Sequence, residues 1–527
     1  MVFLNLSLLY KGQNDSYNKF TKNYAGNDDM TKKEKEIYPR SRKEMLRIIK
    51  TAEKEGHLLE TALEEFTIHP FSMPALWDCR EYIWGIGQEN YLKKPLMISL
   101  LALLSTMAGR LDEAKEYVNI LGETPRHWQA KDFSYNDFCR VSTELVMPYT
   151  DDFSFLRIVF FLIDVGAVPI LSLTLSACRP SILNGFRDFT RFGPYLERYR
   201  DTVTDTVQKL YGSGGKGVYE ILLAEWYYQN NNCFQALVLV TGTIPLMEQE
   251  RDMRCLFVAL ALQMKILLVN GQTRTAKPLV EKIRDRIHKT GWEELTSSLN
   301  ALECLAACYD GRNDEVEEWL EKVAPDENKG IYMMDMYAYL IKIHCYLQTG
   351  KYMLAHVFVK QLIILLALGK RHMDMCECYM LSAMIFHKAG DKKHLCEELE
   401  KCLELAEKYN YVRLLADEGN CMVQMLSIYQ QEKGEDDFTN LIMELANEVG
   451  MRFPDYLKSP AEYFEELTAT EKAVPRLMAQ GMSNDEIANK MGKKTGTVKF
   501  HSNNIFRKLQ VQNRQQAVNR GREINLL

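Results

Sequence analysis

Gly481-Met482-Ser483-Asn484-Asp485-Glu486-Ile487-Ala488-Asn489-Lys490-Met491-Gly492-Lys493-Lys494-Thr495-Gly496-Thr497-Val498-Lys499-Phe500 holds a helix end, a short helix, a tight turn and the start of a second helix. Gly481 stops what precedes it. Ser483 and Glu486 form a capping box, in which each side chain satisfies an orphan N–H of the other residue. Ile487 and Met491 then point to one side, and Gly492 permits a sharp turn. The next helix opens near Thr495 and runs to about Leu509.

Working outward, the same signals recur. Thr468 and Glu471 make a second box, and Val474, Leu477 and Met478 give the helix behind it an apolar face. Pro475 sits inside that helix, where it removes a backbone bond at a cost of up to ~3 kcal/mol. Asn513 and Gln516 open a fourth helix, with Ala517 and Val518 available for packing.

The third helix carries the chemistry. At about 100° per residue, Val498, Ile505 and Leu509 fall within about 40° of one another and face a core. Gly496, Lys499, Phe500, Asn503 and Arg507 then occupy the opposite face, which holds no acid. A short helix, a tight turn and a basic helix suit docking in a DNA major groove. Lys499 and Asn503 can reach base edges, and Phe500 a thymine methyl. Lys493, Lys494, Thr497, Arg507, Lys508 and Arg514 are placed for phosphates, which position a protein without specifying sequence.

Charge agrees with this placement. Residues 467–527 carry 11 Lys and Arg against 4 Asp and Glu, whereas the remainder carries 54 against 67. A basic module on an acidic body is the footprint of a nucleic-acid reader with a regulatory partner domain. The 13 cysteines are scattered without a CxxC pair, a pattern suited to reduced thiols in a cytoplasm rather than a disulfide framework.

The middle of the chain repeats. Asn231, Gly271, Gly311, Gly350 and Gly390 are spaced by 40, 40, 39 and 40 residues, and Gly109 lies near three further periods upstream. Five residues past each stands Ala114, Ala236, Ala276, Val316, Ala355 or Leu395, between flanking apolar helical stretches. This reads as one helix hairpin per repeat, stacked into a solenoid because no hairpin buries its own apolar face. Between Gly122 and Tyr211 the period fades and Pro169, Pro180 and Pro194 predict irregular helices.

The repeat, together with Tyr411-Val412-Arg413-Leu414-Leu415-Ala416-Asp417-Glu418-Gly419, resembles the tetratricopeptide-like superhelix of MalT-like LuxR-family regulators. Leu467-Thr468, Gly481 to Ala488, Thr497 to His501, Asn504-Ile505 and Lys508-Leu509 resemble the LuxR-type helix-turn-helix signature. The resemblance implies base reading by Lys499, Phe500 and Asn503, and a homodimer contact on helix four, residues 513–522. The sequence departs from the family at Thr470, Ala473, Pro475, Lys493 and Lys494. The fold expected is all-α, a tetratricopeptide-like α-solenoid followed by a four-helix LuxR-type helix-turn-helix domain. Residues 1–45 form a poorly defined segment, 46–457 the superhelical domain, 458–460 a linker and 461–527 the DNA-binding domain.

The ATP-binding switch domain with which MalT-like regulators usually begin has no counterpart here. Tyr211 to Gly217 has glycines and Lys216, but Gly217 stands where magnesium needs Ser or Thr, and a helix rather than a strand precedes it. His372, Cys376 and Cys378 are the nearest approach to a metal cluster, yet the two cysteines point about 160° apart on a helix. No cofactor, metal site or catalytic set is therefore expected. The apolar stretch 155–175 contains Arg157, Asp164, Gly166 and Pro169 and reads as a buried helix pair rather than a membrane span. The expectation is a cytoplasmic regulator that binds double-stranded DNA as a dimer, its solenoid sensing a small molecule or protein inducer. Two alternatives stand beside it: an interaction scaffold with a degenerate DNA module, for which Pro475 is the best support, and an unrecognised ATPase.

Overall fold

A computed structural model describes residues 42–68, 73–122, 135–148, 150, 152–164, 179–185, 187–211, 215–248, 253–290, 292–457, 469–508, 511 and 513–523. Among these the regular structure is helical, with no strand. The first described helix, Arg42–Glu55, straddles the boundary expected after residue 45 and buries Met45 completely. The expected linker 458–460 lies outside the described residues, as does most of 155–175 beyond the helix Asp152–Asp164.

Hairpins follow the sequence period. Their helix pairs are Val218–Gln229 with Cys233–Met247, Met253–Val269 with Thr273–Thr290, and Thr296–Tyr309 with Asn313–Lys322. Met336–Gln348 with Tyr352–Leu368 and His372–Ala389 with Lys392–Tyr409 continue the array. Pro95–Met107 with Leu111–Ile120 makes an earlier pair, and Gly419–Lys433 with Asp437–Arg452 a later one.

The turns at Gly109, Asn231, Gly271, Gly311, Gly350 and Gly390 are closed in the same way. Gly311 has φ +65°, its N–H donates to Cys308 O at 3.1 Å, and the next N–H, Arg312, donates to Ala307 O at 2.9 Å. This pairing satisfies two orphan carbonyls and requires a left-handed residue at the corner. Asn231 takes the same conformation at φ +62°, which Asn tolerates better than most residues. The small or apolar residues five positions on, Ala114, Ala236, Val316, Ala355 and Leu395, are buried against their partner helices.

The two helices of a hairpin differ in what covers them. All thirteen residues of Met336–Gln348 are buried, as an inner helix with neighbours on every side must be. Tyr352–Leu368 buries Tyr352, Ala355, Phe358, Val359 and Leu362 but exposes Met353, Val357 and Ile364. The inner helices are covered partly by the chain itself. Arg179 donates to Asp374 at 2.5 Å and Glu377 at 3.0 Å. Glu225 accepts the N–H groups of Ile182 and Leu183 at 3.0 and 2.9 Å. The fully buried Arg371 reaches the carbonyls of Gly185 and Asn184. Around this passage lie the helices Tyr135–Val146 and Arg200–Tyr211 and a 3-10 turn at Thr190–Tyr195, the irregular region expected from its prolines.

The superhelix closes on two carboxylates. Tyr228, from the Val218–Gln229 helix, donates to Asp417 Oδ2 at 2.5 Å. Arg413 pairs with Asp417 four residues on, and Lys265 approaches it at 3.7 Å. Tyr309 donates to the Asp417 carbonyl at 2.9 Å. Next door, Glu418 faces His344 Nε2 at 3.1 Å and accepts from Tyr456 at 2.8 Å. Both carboxylates are almost wholly buried.

A buried charge left without its partner is costly, so Asp417→Ala is expected to destabilise the superhelical domain by about 3–5 kcal/mol in chemical denaturation. The His344 pair gives a pH dependence. Burial opposes its imidazolium, but the Glu418 charge and hydrogen bond outweigh burial and lift it from 6.5 to about 9. A raised cationic group contributes stability that is complete below its unfolded value and lost as pH rises through the folded one. Thermal stability is expected to decline as pH rises from 7 through 9, and His344→Asn to flatten that decline.

Candidate nucleic-acid interface

Four short helices share one core in the terminal module: Ala469–Ala479, Asn484–Lys490, Thr495–Lys508 and Arg514–Glu523. Val474, Met478, Ile487, Ala488, Val498, Ile505, Ala517 and Val518 are its buried residues, and Leu477, Met482, Met491, Phe506 and Val511 pack on its edge. The apolar positions anticipated from helical periodicity are therefore inward wherever they are described. Leu509 lies outside the described residues, as do Thr468 and the Glu471 side chain.

Local bonds set the angle between the second and third helices. Ser483 Oγ accepts from Glu486 N–H at 3.3 Å, and Glu486 Oε2 accepts from Ser483 N–H at 2.7 Å, completing the capping box. The helix ends at Gly492, φ +62°, with Lys493 N–H donating to Ala488 O at 2.9 Å. Thr495 then donates to Asp485 Oδ1 at 2.6 Å, tying the first residue of the third helix to the start of the second. Lys493 and Lys494 flank this turn, so the third helix begins at Thr495.

On the third helix, Val498 and Ile505 are fully buried, and Ser502 is buried with its hydroxyl donating to Val498 O at 2.8 Å. Gly496, Thr497 and Lys499 are exposed; Lys494 is exposed and Lys493 half-buried just ahead of them. Phe500, Asn503, Arg507 and Lys508 belong to this helix, but their side chains lie outside the described residues. Asn503 follows Lys499 by four residues, which puts both positions on one face.

Arg514, expected at a phosphate, also has an internal role. Its guanidinium donates to the carbonyls of Met478, at 2.9 Å, and Met482. Those carbonyls border the C-terminal end of the first helix, where unpaired acceptors and the helix dipole favour a cation. Arg514 is a clamp between the first and fourth helices. Sequence spacing hides this role, because its partners lie 36 and 32 residues away. Pro475 is also accommodated: it is buried within the uninterrupted helix Ala469–Ala479.

The fourth helix is capped by Asn513, whose Oδ1 accepts from Gln516 N–H at 2.9 Å. Ala517 and Val518 face the core, while Gln515, Gln516 and Asn519 are exposed. The metal candidates of the solenoid are not brought together. His372 stacks on Tyr409 with ring centroids 5.3 Å apart, and Cys376 Sγ faces Cys402 Sγ at 3.7 Å.

In a module this small, the capping box is a large fraction of what holds the turn. Ser483→Ala is expected to lower its stability by about 1 kcal/mol in thermal or urea unfolding. The hydrogen bond from the Ser483 N–H holds the Glu486 carboxyl below its ordinary 4.5. A depressed carboxyl contributes stability above its unfolded value and loses it as pH falls through the folded one. Acidification below 4.5 should therefore weaken the wild-type module, and less so a Glu486→Gln variant.

Comparison with known proteins agrees with both parts of the chain. Residues 208–432 match the MalT-like TPR region, and residues 465–520 match the bacterial regulatory proteins of the luxR family. Over 71 residues the chain is 44% identical to the response regulator protein VraR of Staphylococcus aureus (strain NCTC 8325 / PS 47). The same identity holds for the proteins of that name in Staphylococcus epidermidis and Staphylococcus saprophyticus. The alignments cover 14% of this chain and 34% of each relative, so the chain spans about a third of the length of the curated relatives it matches. The chain thus joins a segment similar to the MalT-like TPR region to a segment similar to the regulatory domain of the luxR family.

Proposed function

We propose that this protein regulates transcription by reading operator DNA with the helix Thr495–Lys508. The observation that carries the reading is the exposed Lys499 on a helix whose other face, Val498 and Ile505, is fully buried in a capped core. Lys499, Phe500 and Asn503 are assigned to base edges in the major groove. Lys493, Lys494, Thr497, Arg507, Lys508 and Arg514 are assigned to phosphates, Arg514 while it also clamps the first and fourth helices. The polar outer face of the fourth helix, within residues 513–522, serves as the homodimer contact on a two-fold operator.

The solenoid is assigned the sensing role, with the protein acting in the cytoplasm and catalysing no reaction. Two features support sensing. A cleft of about 420 Å³ lies among Thr204, Val207, Lys216, Tyr219, Val238 and Leu246, within the size range of small-molecule sites. The outer helix Tyr352–Leu368 exposes Met353, Leu354, Val357 and Ile364, a stripe suited to a protein partner. No described helix is long and apolar enough to cross a membrane.

The test is a titration of operator fragments selected from genomic DNA, using the full chain. Lys499→Glu is expected to weaken specific binding by about 10- to 100-fold or more, the scale of a lost base contact of 1–3 kcal/mol with repulsion added. Lys494→Ala should weaken specific and non-specific DNA alike and lower the salt slope by about 1. Unchanged binding by Lys499→Glu would remove this helix from the interface.

A further inference from the structure

Three cysteines meet where two successive repeats stack. Cys304 and Cys308 stand one turn apart on the inner helix Thr296–Tyr309, and Cys345 stands on Met336–Gln348, the inner helix of the next repeat. Cys304 Sγ lies 3.4 Å from Cys345 Sγ, and Cys308 Sγ lies 3.9 Å from it. All three sulfurs fall within 4.8 Å of one another. Three thiolates at ~2.3 Å from one ion and evenly spread about it would be ~4.0 Å apart, and somewhat closer if pyramidal. The observed triangle is thus already the size of a three-sulfur coordination sphere.

The surroundings narrow the occupant. The charged side chains that act most on these sulfurs are carboxylates, Glu303 and Glu315 on Cys304 and Glu418 on Cys308. Thiolate donors favour soft ions over magnesium or calcium. In a site this buried, the ion itself must balance the thiolates, because uncompensated charge there is costly. A monovalent ion leaves two negative charges, a divalent ion one, and a trivalent ion none.

We infer that Cys304, Cys308 and Cys345 form a three-thiolate site for a soft ion, with trivalent arsenic as the charge-matched occupant. Arsenous acid gives up three As–OH bonds and gains three As–S bonds. The three thiol protons leave with the hydroxides as three waters, and nothing is oxidised or reduced. Cys304 Sγ lies against Cys345 Sγ, and either thiol can donate to the other. Cys304 also keeps 4% of its surface exposed while the other two keep none, so it marks the entry side.

Occupancy would bond two repeats together beside the closing contacts. Cys308 precedes Tyr309, which donates to the Asp417 carbonyl, and Cys345 follows His344, which faces Glu418.

The experiment titrates reduced, full-length protein with arsenite under anaerobic conditions. One equivalent per chain is expected, with near-ultraviolet thiolate-to-arsenic absorption and three sulfur neighbours by arsenic-edge X-ray absorption. That measurement on the wild-type chain needs no variant. Cys304→Ala and Cys345→Ala should each weaken binding by at least about 100-fold, beyond the 10- to 100-fold typical of outer-shell changes. Cys378→Ala, which removes a cysteine outside the triangle, should leave it intact. An arsenic shell with fewer than three sulfurs, equal loss in Cys378→Ala, or a Cys304–Cys345 disulfide that resists the reductant and blocks uptake would overturn the assignment. DNA takes no part in the measurement, so its result is independent of the proposed reading helix.

Discussion

Two adjacent buried carboxylates, Asp417 and Glu418, hold the superhelix in its closed form. Each hairpin contacts its neighbours in sequence, and such an array alone leaves its curvature to small per-repeat rotations. Here Tyr228 and Lys265 come to Asp417 from helices well over a hundred residues earlier in the chain, Tyr309 to its carbonyl, and His344 and Tyr456 to Glu418. Because buried carboxylates tolerate few unsatisfied oxygens, these contacts favour formation as a set. They convert a stack of hairpins into one body with a defined pitch. The stacked rings of Tyr309 and Tyr456, 4.1 Å apart, seal that hub from solvent.

The terminal module is held by different means. Its described core has eight buried side chains, and domains of this size gain little from burial alone. Local devices therefore carry a larger share: the Ser483–Glu486 box, the left-handed Gly481 and Gly492, the Thr495–Asp485 bond and the Arg514 clamp. They act on the turn between the second and third helices and on the seat of the fourth. Those are the parameters on which a groove-docking helix depends.

Much of this was legible in the chain because it is local. A positive-φ corner demands Gly or Asn, so Asn231, Gly271, Gly311, Gly350 and Gly390 announce the hairpins, and the residues five further on announce close packing. Likewise the periodicity of Val498 and Ile505 assigns the outward face of the third helix. What was not legible is contact between residues far apart in the sequence. Arg514 reads as one more cation of a basic module until the carbonyls of Met478 and Met482 are seen beside it. The passage of residues 179–185 along the inner helices gives no periodic signal, since its partners Asp374 and Glu377 are nearly two hundred residues away. The cysteine triangle lies between these cases. Cys304 and Cys345 are 41 residues apart, two more than the 39 from Gly311 to Gly350, so superimposing the repeats brings them close but not into register, and a search for CxxC spacing passes over them.

The filled interior constrains the proposed sensing role. Residues 179–185 occupy polar partners on the inner helices that an effector would otherwise use, and the cavity left among Arg179, Glu225, Lys265 and Tyr337 is only about 70 Å³. An effector larger than a few atoms must displace this segment or act from elsewhere. Close-packed interiors switch between discrete arrangements rather than deforming smoothly. The efficient place to act is therefore a seam between repeats adjoining the Asp417–Glu418 hub. There a shift too small to break any hairpin still decides whether Tyr309 reaches the Asp417 carbonyl and His344 the Glu418 carboxylate.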